Sequence, residues 1–277
     1  MKIVVVGLGV IGGSFTMALK EAGYDDVYGI DINEESLEKA KKLGLIKEGF
    51  TSGDEIVKSA DFIIISLYPR LVKKFITDNK ENFNDGAVIT DATGIKKMFI
   101  DDIIKILPEN IDFVFGHPMA GREKKGIDFA SSTVFKGANY ILTPVARNKE
   151  ENLKMIEDLV YKLGFKRVRR ITPEHHDEMI GYTSQLPHSL AVALVNSDLE
   201  GRETGSFIGD SYRDLTRIAN INEDLWSELF LGNKENLLTS IENFEVELDK
   251  IKHAIENDDK EALKELFIKS TKRREKL

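Results

Sequence analysis

His117 is the residue in this chain best placed to move a proton. It stands between Gly116 and Pro118, directly after Ile111 to Phe115, an apolar run that reads as a strand. A cis or otherwise rigid X-Pro step would fix its direction. A neutral imidazole there could take a proton from a substrate hydroxyl while hydride leaves the same carbon. The plain alternative is a capping or core histidine. The chemical reading is favoured by the nucleotide signature carried elsewhere in the chain.

That signature is Gly7-x-Gly9-x-x-Gly12, set between the β-branched run Ile3 to Val6 and the helix formers Phe15 to Glu21. Strand, glycine turn and helix in this order are the context a dinucleotide fingerprint requires. Gly7 permits the tight turn, Gly9 lets the backbone approach a pyrophosphate, and Gly12 allows close helix–strand packing. The helix N-terminus then offers N–H groups and positive dipole to the phosphates. Val27 to Asp31 reads as a second strand ending in an acid, nineteen residues after Gly12. A carboxylate there accepts from a free ribose 2′-OH and repels a 2′-phosphate. No Arg or Lys follows before Lys39, so the cofactor expected is NAD rather than NADP. The candidate cofactor contacts are Gly7, Leu8, Gly9, Val10, Ile11, Gly12 and Asp31, with Tyr68 and Pro69 in the loop after the next strand.

Other polar groups lie further along. Ser184 and His188 are spaced i, i+4 around Pro187 and share a face if the segment is helical. Arg213 and Arg217 are spaced likewise, and guanidinium forks bind carboxylates. By composition alone surface ion pairs are the commoner reading of such arginines. His175-His176-Asp177 lacks the spacing of a zinc site, and no metal is expected.

The elements needed to position these groups are legible. The first ~170 residues alternate strand and helix signals, the pattern of a doubly wound parallel sheet of the Rossmann type. Ligands bind beyond the carboxyl ends of such strands, where four loops gather: Gly7–Gly12, Leu67–Pro69, Asp91–Lys96 and Gly116–Glu123. After Thr172-Pro173 no strand is evident, and amphipathic helices are expected over about 174–200, 211–219, 223–253 and 259–274. The fold class is therefore α/β, with a nucleotide-binding domain at 1–171 and an all-helical substrate and dimerisation domain at 172–277. So thin a helical layer needs a second copy to bury its apolar faces, which predicts a C2 homodimer.

The whole chain limits the alternatives. Its 277 residues are 42% apolar and 31% charged, ordinary values for a globular protein. No run of about 18 apolar residues occurs, so no membrane span is expected. The first strand begins at residue 2, leaving no room for a signal peptide. Zero cysteine excludes disulfides and thiolate chemistry and fits a cytoplasmic protein. The net charge is −8, and the main basic cluster, Lys272 to Arg274, reads as a last helical turn rather than a nucleic-acid site.

Four segments together resemble the prephenate/arogenate dehydrogenases of tyrosine biosynthesis: Gly7–Gly12 with Asp31; Gly116-His117-Pro118-Met119-Ala120-Gly121-Arg122-Glu123; Ser184-Gln185-Leu186-Pro187-His188; and Arg213-Asp214-Leu215-Thr216-Arg217-Ile218-Ala219 with Trp226. The resemblance implies NAD-dependent oxidative decarboxylation of prephenate to 4-hydroxyphenylpyruvate, or of arogenate to tyrosine. It implies that His117 takes the C4 hydroxyl proton, Arg217 clamps a substrate carboxylate, His188 lines the substrate pocket and Glu123 holds a gating ion pair at its mouth. Trp226 matches an aromatic near that pocket, and a core or dimer-interface residue is an equal reading of it. Arg213, Ser184 and Gln185 fall in the same motifs. Tyrosine is a candidate feedback inhibitor competing in the same pocket, since no added regulatory domain is evident.

The chain departs from the family pattern at three places. The family's Asp-x-Gly-Ser-x-Lys loop reads Asp91-Ala92-Thr93-Gly94-Ile95-Lys96, so the serine hydroxyl is missing and Thr93 replaces it only if the loop shifts. Gln185 stands where a histidine is usual. Asp210 replaces a glycine; facing the substrate side chain it would favour the ammonium of arogenate, and otherwise it caps a helix. Two rival readings share the architecture. One is a β-hydroxyacid or pyrroline-type dehydrogenase, whose helix-borne lysine motif is not found here. The other is a non-catalytic NAD sensor.

Overall fold

A computed structural model describes residues 1–121 and 124–276. The first half alternates β1 (Ile3–Val6), α1 (Val10–Glu21), β2 (Val27–Ile30), α2 (Glu34–Lys42), β3 (Gly49–Phe50), β4 (Phe62–Ile65), α3 (Pro69–Asn79), β5 (Val88–Asp91), α4 (Lys97–Ile106), β6 (Asp112–Pro118), β7 (Asn139–Thr143), α5 (Glu150–Lys162) and β8 (Arg167–Arg170). The strands form one sheet in the order β3-β2-β1-β4-β5-β6-β7-β8. Strand order reverses between β1 and β4, and the crevice for a dinucleotide lies at such a switch point.

Central strands of this sheet are covered on both faces, which is why they read as continuous apolar runs. Ile3 and Val5 enter one core with Phe15 and Leu19 of α1 and Leu153 and Ile156 of α5. Val4 and Val6 enter the other, with Val72 and Ile76 of α3 and Phe99 and Ile103 of α4. The period-2 alternation of a strand divides them.

One strand direction corrects the sequence reading. β7 runs antiparallel to β6, with His117 opposite Ile141, and β8 is parallel to β7. A parallel neighbour requires a crossover, usually a helix. Between β6 and β7 the chain instead forms two short 3₁₀ turns, Ile127–Phe129 and Ser132–Phe135, which pack on α1. A second correction concerns His117 itself. β6 continues through Pro118, so His117 lies within a paired strand end and not in a turn after it.

The second half is helical: α6 (Pro173–Ile180), α7 (Leu186–Asn196), α8 (Asp210–Thr216), α9 (Glu223–Gly232), α10 (Lys234–Glu256) and α11 (Lys260–Arg274). Proline does not break the first of these. A π-helical turn, Gly181–Gln185, joins α6 to α7 directly. Pro187 has no N–H to give the preceding turn, and the wider turn absorbs that loss. No described helix is long and apolar enough to cross a membrane.

Candidate active site

The glycine turn has the shape its sequence suggests. Gly7 adopts φ +84° and donates its N–H to Ile30 O at 2.7 Å. A Cβ on Gly12 would lie 1.7 Å from Gly7 O, whereas one on Gly9 would meet nothing within 4 Å. The space over Gly9, at the N-cap of α1, is therefore open for a phosphate, and α1 directs its free N–H groups there. Asp31 follows β2. Its Oδ2 accepts from the Leu8 N–H at 2.6 Å and its Oδ1 from the Asn33 N–H at 2.9 Å, which ties the acid to the turn. Val10 and Ile11 open α1. These residues fit a dinucleotide: an open cradle, a helix terminus and an oriented acid.

At the end of β5, Asp91 organises the next loop. Its Oδ1 accepts the Gly116 N–H at 3.0 Å, and its Oδ2 accepts the fully buried Lys96 Nζ at 2.6 Å. Lys96 also donates to Gly116 O and, at 3.1 Å each, to Thr93 O and Oγ1. Burial lowers the Lys96 pKa, and Asp91 opposes that shift. The cluster clamps both backbone polar groups of Gly116, the residue before His117.

Thr93 belongs to this clamp. Its hydroxyl donates to Asp91 and its side chain is buried, so it does not stand in for the missing serine. Gly94 lies beside the imidazole: an added Cβ there would be 3.8 Å from His117 Cε1 and 3.3 Å from Leu229 Cδ2.

His117 Nδ1 lies 2.9 Å from His176 Nε2, and His176 Nδ1 lies 2.7 Å from Asp177 Oδ1. Asp177 also accepts the Lys96 N–H at 2.9 Å and the Lys97 N–H at 2.8 Å, joining α6 to the start of α4. His176 and Asp177 are each 1% exposed. The His117 pKa is held well below the ordinary histidine value, first by burial and then by His176 and Lys96. Burial lowers that of His176 as well, against the pull of Asp177. Sequence reasoning missed this pair. It weighed His176 and Asp177 only as metal ligands, and their spacing to His117 carries no signal.

The helical half supplies the opposite wall. His188 Nδ1 lies 2.8 Å from Ser184 O, so the i, i+4 relation holds through the backbone, and its ring stacks on Trp226 with centroids 3.7 Å apart. Trp226 precedes Leu229 by one turn of α9, and Leu229 reaches Gly94 beside His117. The turn Arg217–Ala219 packs on α7, the helix of His188. Tyr68 caps α3, Pro69 follows it, and the Tyr68 hydroxyl accepts from Asn222 Nδ2 at 2.8 Å. Arg70 pairs with Glu228 across the same cleft.

Three expected positions are occupied otherwise. Gln185 is 1% exposed; its amide donates to Leu229 O at 2.7 Å and accepts from Asn233 at 2.8 Å. It therefore locks α7 to α9 and α10 instead of facing a ligand. Arg213 is turned to Asp210 at 2.6 Å in an exposed pair, away from the joint role expected with Arg217. Asp210 is spent on that pair at the start of α8. Glu123 lies outside the described residues. No group of three or more potential metal ligands is found among the described residues.

Known proteins share this two-part fold. A family model described as prephenate dehydrogenase, nucleotide-binding domain, matches residues 15–169, and one described as prephenate dehydrogenase, dimerization domain, matches residues 172–269. Prephenate dehydrogenase of Bacillus subtilis is 32% identical over 274 residues, 96% of this chain and 73% of that protein. The structure of prephenate dehydrogenase from A. aeolicus with hydroxyphenyl propionate and NAD+ has 34% identity and a TM-score of 0.90, covering 99% of this chain and 98% of that one. Arogenate dehydrogenase of Synechocystis has 26% identity and a TM-score of 0.84, covering 100% and 99%. With both halves matched in order and about a third of its residues shared with relatives over nearly its full length, the chain belongs to the prephenate dehydrogenase family.

Proposed function

We propose that this protein catalyses the NAD-dependent oxidative decarboxylation of prephenate to 4-hydroxyphenylpyruvate. The observation that carries the reading is the placement of His117. It stands at the carboxyl edge of the sheet that also bears the open Gly9 cradle, and it faces the helical wall through Gly94 and Leu229. NAD, when bound, accepts the hydride from C4 of the substrate ring. His117 takes the proton of the C4 hydroxyl, and loss of the C1 carboxylate as CO2 leaves an aromatic ring. Aromatisation makes the step irreversible, so the protein's task is to position and polarise one hydroxyl.

Arg217 holds a substrate carboxylate in this reading, and His188, stacked on Trp226 above Ser184, lines the ring. Gly7, Leu8, Gly9, Val10, Ile11 and Gly12 hold the pyrophosphate. Asp31 takes the ribose hydroxyls, with Tyr68 and Pro69 alongside the dinucleotide. The Asp210–Arg213 pair removes the reason to expect a preference for an ammonium substrate, since Asp210 already has its cation. Prephenate is accordingly placed ahead of arogenate. Tyrosine, sharing the phenol ring and carboxylate of such a product, is proposed to compete in the same pocket.

The working unit in this reading is a C2 dimer of a nucleotide-binding part, 1–171, and a helical part, 172–277. The described helical half leaves Leu199 (65%), Phe207 (82%) and Leu231 (75%) exposed, apolar area that a second copy would bury. A cytoplasmic setting accords with the absence of cysteine.

The test is NADH formation with purified protein and prephenate, arogenate or 3-hydroxy acids in turn. Turnover of prephenate with NAD, and little with NADP, is expected. Turnover confined to a 3-hydroxy acid, or none with any of these, would overturn the assignment.

A further inference from the structure

Three N–H donors point at one carboxylate, and their order has a consequence for His117. Asp177 accepts from the Lys96 and Lys97 backbone N–H groups and from His176 Nδ1. A carboxylate only accepts, so His176 must carry its proton on Nδ1. Its Nε2 is then a lone pair, and the 2.9 Å contact to His117 Nδ1 requires His117 to be the donor. A neutral His117 therefore carries its proton on Nδ1 and presents a bare Nε2.

We propose that His176 and Asp177 are positioning residues that fix the His117 tautomer and receive its displaced proton, forming a relay from the cleft into the buried junction between the two halves. The inference rests on the reading of His117 as the base. The proton balance is simple. His117 Nε2 gains the proton of the substrate hydroxyl while the hydride leaves for the nicotinamide. The Nδ1 proton of His117 moves to His176 Nε2. His117 is again neutral, and the resulting His176 imidazolium, protonated on both nitrogens, sits against Asp177. Loss of CO2 leaves the freed electron pair on the C4 oxygen as a phenolate, and the proton travels back along the same path to that oxygen before product leaves.

The surroundings favour this direction. Among the described residues, the charged groups that act on the two rings are Lys96, Asp91 and Asp177. His117 has burial and a cation against its charged form and no carboxylate in contact. His176 is buried and feels the same cation, but Asp177 bonds it directly. The second ring is thus the better seat for positive charge. The π-helical turn that follows α6 and the α4–α6 contact hold this pair at the domain junction.

The test uses the full-length protein. Nitrogen-15 NMR of labelled histidines in the resting protein near neutral pH should show His117 protonated on Nδ1 and bare on Nε2; the opposite tautomer overturns the proposal. His176→Leu should lower kcat by about 10–1,000-fold with KM for prephenate nearly unchanged. His176→Gln, which keeps an acceptor for His117 but cannot hold a second proton, should recover only part of that loss. Wild-type kcat in His176→Leu, or full recovery in His176→Gln, would overturn the relay. If the wild-type protein fails to oxidise prephenate or arogenate, the functional reading falls separately, and the NMR result still decides the tautomer.

Discussion

Asn222 donates through Nδ2 to the Tyr68 hydroxyl at 2.8 Å, and each residue is the N-cap of its own helix, α9 and α3. The bond therefore joins the helical half to the sheet. Arg70, two residues after Tyr68, reinforces it through Glu228. The two contacts tie the start of α3 to α9.

This relationship is testable by a double-mutant cycle. Tyr68→Phe and Asn222→Ala should show a coupling of about 0.5–1.5 kcal/mol in unfolding free energy, the net worth of an ordinary hydrogen bond. Strictly additive losses would show that the contact does not hold the halves together.

His117→Asn should reduce kcat by about two to four orders of magnitude while the NAD dissociation constant stays near that of the wild type. Fluorescence titration with NADH gives the second quantity. A near-normal rate would remove His117 from the chemistry.

The pH dependence follows from the same residue. The base form of His117 is neutral, so kcat/KM should rise as pH increases through its pKa and then level off. Burial, His176 and Lys96 hold that pKa down, so the acid limb should lie below about 6.5, the unperturbed histidine value. Stability has the same sign. The unfolded chain protonates its histidines first as pH falls below about 6.5, and the folded protein, in which the His117 and His176 pKa values are lowered, resists. Stability is therefore complete above that pH and declines from there down through the lowered folded values. Urea midpoints at pH 7.5 and 5.5 would check the sign, and a higher midpoint at 5.5 would contradict it.

Gly9→Ala and Gly12→Ala should fail in different ways. A methyl on Gly9 meets open space, so folding is retained while NAD binding weakens. A methyl on Gly12 collides with Gly7 O and costs stability outright. Thermal unfolding with and without NAD separates the two. Equal melting temperatures for both variants without NAD would contradict the assignment of the two glycines.

Arg217→Ala should raise KM for prephenate by the equivalent of about 2–5 kcal/mol, if the carboxylate contact is desolvated in the complex. An unaltered KM would remove Arg217 from carboxylate binding.

The glycine turn and Asp31 were legible because their geometry is local: residues 7 to 12 and 27 to 31 carry their own backbone demands. The helical half was legible from periodicity, apart from the break at Asn233 and the π-helical turn that lets the chain pass Pro187. What stayed hidden was tertiary. Nothing in the spacing of His117 and His176, fifty-nine residues apart, signals that a strand end and a helix from different halves will meet. Thr93 and Gln185 were read as pocket residues from their motifs, but each has a polar group satisfied inside the protein, by Asp91 and by Leu229 and Asn233. The direction of β7 depended on a connection too short of helix to make a crossover, which apolar patterning does not report.

Gly94 carries one more consequence. The side chain of Leu229 already crowds the place where a Cβ would emerge from it, at 3.3 Å and 3.7 Å from the two leucine methyls. A side chain at 94 therefore asks the Leu229 side chain to give way by a few tenths of an ångström, so the tolerance of this loop position is decided by a helix from the other half of the chain.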